Sequence, residues 1–327
     1  MQNSGSCYVL FAHDIIHLKK ESVSKVTKKK RSSRRRKARK VRKPAIQYHI
    51  GFVGAIHCEL WDHRDQISID AEKQLTDKPL IIDCLILKLG ENVQLDENIA
   101  RHFLGTNLIE YKNWRKLLHL ETMLQIGAYG MQYGRLHIRK EPDLLEDMTL
   151  TIFTHRYTQD FFDGLADHGF TYKAVEPGVY EITGFTSFPL YAVVIEKLPP
   201  EKNEALKILL PDADLDDVKR FMEKKNSIPD PDYQRHADTV AYYMLEANPR
   251  IMERLEKEDP EMITDLMRMR EREIREQERT EARVELDRKT ADYVKSLVAS
   301  LGLSATDVLK SMGLSAEEQA RVKPYLE

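Results

Sequence analysis

Asp83 stands inside Leu80-Ile81-Ile82-Asp83-Cys84-Leu85-Ile86-Leu87, a run otherwise suited to the dry interior of a sheet. An unpaired carboxylate is costly there, so a cation, hydrogen-bond donors or a metal must stand beside it. Twenty-seven residues later the chain reads Asn107-Leu108-Ile109-Glu110-Tyr111-Lys112. On a strand, positions two apart share a face, so Glu110 and Lys112 point one way and Ile109 and Tyr111 the other. If the two strands are neighbours, Asp83, Glu110 and Lys112 converge on one spot. Two carboxylates and an amine so arranged suit phosphodiester hydrolysis. The acids hold a hard divalent cation, Mg²⁺ or Mn²⁺, by oxygen ligands and leave positions for water and a phosphate oxygen. The cation lowers the pKa of the attacking water, and the lysine orients that water or stabilises the transition state. The same residues also allow a buried ion-pair cluster in which Lys112 only neutralises its acidic neighbours.

Elements that would position these groups are legible around them. Helical spacing of Ile50, Val53, Ile56 and Leu60 predicts one helix over 48–62, and alternation of Ile67, Ile69 and Ala71 predicts a half-buried strand over 66–74. Residues 80–89 are nearly all aliphatic, as in a strand covered on both faces. A third strand over 108–112 precedes a long helix over 114–133, where Gly127 and Gly130 would let the backbone lie close to a sheet. On that helix Glu121, Gln125 and Tyr129 form one polar stripe, while Leu117, Leu120, Leu124, Ala128 and Met131 supply a packing face. Gln125 and Tyr129 would then project over the sheet edge towards the metal. Further strands are expected over 150–157 and 190–198, with a short helix over 160–168 and a hairpin over 170–183 turning at Pro177-Gly178.

In order, Asp83, then Glu110-Tyr111-Lys112, then Gln125-Ile126-Gly127-Ala128-Tyr129 resembles the PD-(D/E)XK nuclease superfamily, in its RecB-like branch with a Gln-x-x-x-Tyr signature. The wording around Pro79–Asp83 and Leu108–Lys112 also looks like bacterial recombination-promoting nucleases and transposase-like proteins. The resemblance covers about residues 46–133. It implies an α/β fold of restriction-endonuclease-like type, a mixed central sheet flanked by helices. It implies Asp83 and Glu110 as ligands of Mg²⁺ or Mn²⁺, Lys112 as the catalytic lysine, and Gln125 and Tyr129 as positioning groups. Members often add an acid from the first helix, for which Glu59 is the natural candidate. No proline directly precedes Asp83, a departure that matters little, and inactive descendants of the superfamily exist.

Three segments follow from composition: a basic arm over 1–45, a nuclease-like domain over 46–200, and a highly charged helical region over 201–327, set off by Pro199-Pro200. Residues 19–43 carry 15 Lys or Arg and one acid, which leaves a net charge of -16 for the rest of the chain. Such an arm can grip phosphates without reading sequence, or it can be a solvated tail. The C-terminal helices, including an almost uniformly charged stretch over 271–288, offer a surface for self-association. Leu301-Gly302-Leu303-Ser304 and Met312-Gly313-Leu314-Ser315 echo one another as helix stop and start signals.

With 42% hydrophobic and 32% charged residues and a mean hydropathy of -0.51, the composition is that of a soluble protein. No apolar run approaches the ~20 residues of a membrane-spanning helix. Residues 7–18 precede the basic cluster, the reverse of a secretory signal. Three cysteines without CxxC spacing exclude a disulfide scaffold and suit a reducing, cytoplasmic compartment. His13 and His17 lack the glutamate of a zincin, and His57-Cys58-Glu59 lacks the Pro-Cys-x-x-Cys of a deaminase. There is no phosphate-binding glycine loop and no Gly-x-Ser-x-Gly elbow. The expected function is metal-dependent cleavage of DNA in a recombination, mobile-element or defence context. The alternatives are a catalytically silent nuclease fold that binds, or a charged helical scaffold.

Overall fold

The computed structural model describes residues 48–74, 81–90 and 93–326. The basic arm, Cys7, His13, His17 and the Pro79-Leu80 approach to Asp83 lie outside these residues. Helix α1 (Tyr48–Glu59) is buried on almost every side, because it is wedged between the sheet and a later helix. Strands β1 (Ile67–Gln74), β2 (Ile81–Lys88) and β3 (Thr106–Lys112) follow as an antiparallel series. Helix α2 (Leu120–His137) then crosses to β4 (Met148–Thr154), which pairs parallel to β3. A parallel pair needs such a crossover, since a hairpin can join only antiparallel strands. Next come α3 (Gln159–Asp167), the hairpin of β5 (Thr171–Glu176) and β6 (Val179–Thr183), and β7 (Leu190–Val194). The result is a seven-stranded mixed sheet ordered β1-β2-β3-β4-β7-β6-β5.

The chain after β7 is helical: α4 (Glu204–Lys207), α5 (Leu215–Ser227), α6 (Pro231–Ala247), α7 (Ile251–Glu258), α8 (Pro260–Leu301), α9 (Ala305–Ser311) and α10 (Ala316–Val322). Starts and stops follow capping chemistry. Asp214, Asp230 and Asp259 accept backbone N–H groups at the starts of α5, α6 and α8, the last two with Pro at the first helical position. Gly302 takes a left-handed φ of 67° and ends α8, and Ser304 caps α9. Ser315 and Glu318 close the capping box that the sequence predicts.

Two cores sandwich the sheet. One joins α1 and α4–α8 to Cys84, Ile86, Ile109, Tyr111 and Phe153. The other joins α2 and α3 to Leu85, Leu108, Leu150 and Ile152. The segments on either side of Pro199-Pro200, divided in the sequence there, therefore share a core and form one compact unit. A third, small cluster unites the end of α8 with α9 and α10.

Glycine sets the contact of α1 with α6. A β-carbon at Gly51 would lie 2.6 Å from Tyr243 Cβ. Gly51→Ala is therefore expected to lower the unfolding free energy by about 1–3 kcal/mol, the usual cost of overpacking. An unshifted urea midpoint for this variant would contradict the seating of α6.

Helix α2 departs from expectation in two ways. It begins at Leu120 rather than residue 114, because Asn113 accepts the Arg115 and Lys116 N–H groups and holds a turn. Its packing face is also different. Leu117 and Leu124 are 53% exposed and Met131 63%, whereas Met123, Ile126, Gly127, Gly130 and Tyr133 are buried. The glycines decide this. A β-carbon at Gly127 would meet Phe185 at 2.7 Å and one at Gly130 would meet Leu150 at 3.0 Å, so close backbone approach selects the glycine face.

Candidate active site

The register of β2 against β3 pairs Cys84 with Ile109 and Leu85 with Leu108. One step further sets Asp83 across from Glu110, and in a pleated sheet opposed residues share a face. Asp83, Glu110 and Lys112 thus meet on the side covered by α2. Asp83 lies just beyond the last β2–β3 pair, and its Oδ2 accepts the Tyr111 N–H at 2.8 Å. Lys112 Nζ donates to Glu110 Oε1, a contact of 2.5 Å, and more loosely to Gln125 Oε1 at 3.3 Å. Gln125 Nε2 donates in turn to Tyr129 Oη at 2.7 Å. A chain of polar contacts therefore runs from Glu110 through Lys112 and Gln125 to Tyr129. Five of the six residues proposed from the sequence gather here.

Burial sets the electrostatics. Glu110 is 4% exposed, and desolvation, then the nearby Asp83 charge, push its carboxyl up to about 7 against the opposing hydrogen bond from Lys112. Asp83 is also raised by burial, opposed by the Tyr111 N–H, then by His49, Lys112 and Lys116. Glu110 Oε2 is buried and has no hydrogen-bond partner. Such an oxygen is expensive to leave unmatched. The Asp83 charge is close enough to raise the Glu110 carboxyl further. Among the described residues no group of three or more His, Cys, Asp or Glu could hold a metal ion. Two carboxylates are what a Mg²⁺ site of the substrate-completed kind provides, since that ion keeps several waters and takes substrate phosphate oxygens.

Glu59 is elsewhere. It lies ten residues along α1 from His49, about 15 Å at the helical rise. Its Oε1 accepts the Leu206 N–H at 3.1 Å, and it lies in a charged cluster with the buried Glu204 and the partly exposed Lys224. Burial lifts its carboxyl to about 8 although Lys224 and the backbone donors oppose this. Its role is to hold the first turn of α4 against α1. Conversely, His49 and Lys116 act on Asp83 without having been signalled by the strand pattern. Both come from segments flanking the sheet, where periodicity carries no information about neighbours.

A cavity of about 370 Å³ opens along α1, lined by His49, His57, Ala71, Arg235, His236 and Glu273 among others. The His57 and His236 rings stack at 3.9 Å, nearly parallel. Burial lowers both imidazoles from 6.5 to about 4, helped at His57 by His236 and at both by Arg235. A pKa depressed on folding means that the stabilisation is complete above pH 6.5 and is lost as pH falls towards 4. His57→Leu is therefore expected to reduce the loss of stability between pH 6.5 and 4, read from urea titrations at each pH. An unchanged pH slope would show that the imidazole is not held neutral.

No family model, curated protein or solved structure matches this chain. No helix among the described residues is long and apolar enough to cross a membrane.

Proposed function

We propose that this chain is a metal-dependent nuclease that hydrolyses DNA phosphodiester bonds on a restriction-endonuclease-like fold. One observation carries this reading: Asp83 and Glu110, from paired strands, share a face with Lys112 and influence one another electrostatically, and Glu110 Oε2 is buried and unmatched. The mixed sheet with helices on both faces is the architecture that the resemblance implies. Asp83 and Glu110 would hold Mg²⁺ or Mn²⁺, which supplies charge neutralisation and a more acidic water when bound. Lys112 stands where a donor can reach the attacking water or a phosphate oxygen. Gln125 fixes the lysine from α2, and Tyr129 fixes Gln125. The Tyr111 N–H holds Asp83 so that its other oxygen stays available.

The basic residues over 19–43 suit the sequence-independent grip on DNA that a net negative remainder would not supply. The reading includes a cytoplasmic setting and a recombination, mobile-element or defence role. The test is cleavage of plasmid and linear DNA in Mg²⁺, Mn²⁺ or EDTA by the full chain and by Asp83→Ala and Lys112→Ala. Equal residual cleavage by all three proteins would remove the enzymatic reading.

A second reading rests on the Lys112–Glu110 contact. If that ion pair is the endpoint, the fold is a silent binding module. It then retains DNA without cutting, and Mn²⁺ does not bind in calorimetry.

A further inference from the structure

We infer that the exposed face of α2 is a self-pairing seam through which two copies of this chain associate about a two-fold axis. Glu121, Leu124, Ala128, Met131 and Arg135 succeed one another at intervals of three and four, so they form one stripe along the helix. All five are exposed, and the two long apolar side chains at the centre are more than half exposed. The helix behind them is firmly based, because Gly127 and Gly130 seat its backbone against Phe185 and Leu150. The apolar stripe therefore cannot be buried by rolling the helix inward.

The charge arrangement selects the occupant. Glu121 and Arg135 lie seven residues to either side of Ala128. A second copy laid antiparallel, crossing at Ala128, sets each Glu121 opposite Arg135 of the other copy. The same crossing puts Leu124 against Met131 of the other copy, twice over by symmetry. Parallel pairing would instead oppose glutamate to glutamate and arginine to arginine. Ala128 at the crossing removes bulk where the axes come nearest, which permits a short interaxial distance. The seam is self-complementary in shape and sign, as an isologous contact must be. It is also only one helix wide, so the association belongs in the micromolar range.

Sedimentation equilibrium of the full chain, free of nucleic acid, tests this from about 1 to 200 µM, a span that brackets an interface of this size. The wild type is expected to pass from monomer to dimer. Leu124→Glu with Met131→Glu is expected to remain monomeric with an unchanged circular dichroism spectrum. Glu121→Arg and Arg135→Glu, each alone, should weaken the dimer at least about tenfold through like-charge contact. The two together should restore it. That rescue keeps the test decisive even if the double-glutamate variant misfolds. The proposal falls if the wild type stays monomeric throughout, if the dimer survives both glutamates, or if the charge swap fails to rescue. It also falls if deletion of residues 1–45 converts a monomer to a dimer, since the face would then belong to that segment.

Discussion

Glu110→Gln is expected to abolish Mg²⁺-dependent cleavage, by about 10³-fold or more, while making the metal-free protein more stable at pH 8. Both effects come from one cause. Glutamine keeps the oxygen that faces Lys112 but removes a charge that burial and Asp83 already disfavour, as the elevated pKa of about 7 shows. A carboxyl with a raised folded pKa leaves stability intact below its unfolded value near 4.5 and erodes it as pH climbs through 7. The erosion is on the order of 2–3 kcal/mol for a shift of this size, reduced by the coupling to Asp83. The variant should therefore show a flatter stability profile between pH 4.5 and 7.5. An opposing effect acts on Lys112: if its charge depends on Glu110, removal strands a buried ammonium and lowers stability by about 3–5 kcal/mol. Thermal melts of the apo protein show which effect wins, and the cleavage assay alone tests the nuclease reading. A Glu110→Gln protein that keeps wild-type cleavage would sink that reading.

Lys112→Met should separate binding from chemistry. The lysine is almost fully buried and donates to Glu110 and Gln125, so its loss leaves two neighbouring carboxylates without their cation. Apo stability is expected to fall, the reverse of the glutamine variant. Mn²⁺ binding should tighten, because a competing positive charge has gone. Cleavage should nevertheless drop by about 10²–10³, the range found when one positioned donor is removed from a transition state. Loss of Mn²⁺ binding in this variant, measured by calorimetry, would mean that Lys112 organises the pocket rather than taking part in turnover.

The sheet and the core of the site were readable because strands announce themselves in two ways, by aliphatic runs and by alternation. Asp83 was conspicuous as a charge inside 80–87, and Glu110 with Lys112 shared a face by parity alone. Adjacency of β2 and β3 then completed the triad. Helical faces were harder. On α2 the leucines and methionine outweighed the glycines in any hydrophobic count, yet a glycine contributes to packing by what it lacks. On α1 nearly every position is buried, so no polar side exists to show where Glu59 points, and a carboxylate that grips α4 resembled one that grips a metal. The Gly and Ser caps at the end of the chain were explicit, since each does one local job, whereas the Asp-Pro starts of α6 and α8 were not singled out. His49 and Lys116 were invisible, because their effect on Asp83 depends on how loops and helix ends come together in three dimensions.

Helix α8 has a mechanical consequence. Its 42 residues begin in the main core at Leu266 and Met269 and end in the small cluster around Ala291 and Val294. Between the buried Glu273 and Asp287 it runs for about 21 Å at 1.5 Å per residue, with every side chain between them at least partly exposed. A rod of this kind behaves as a rigid outrigger. Whatever docks on the three-helix head at its tip is held at a fixed reach and at a fixed azimuth, which a single inserted residue would swing by about 100°.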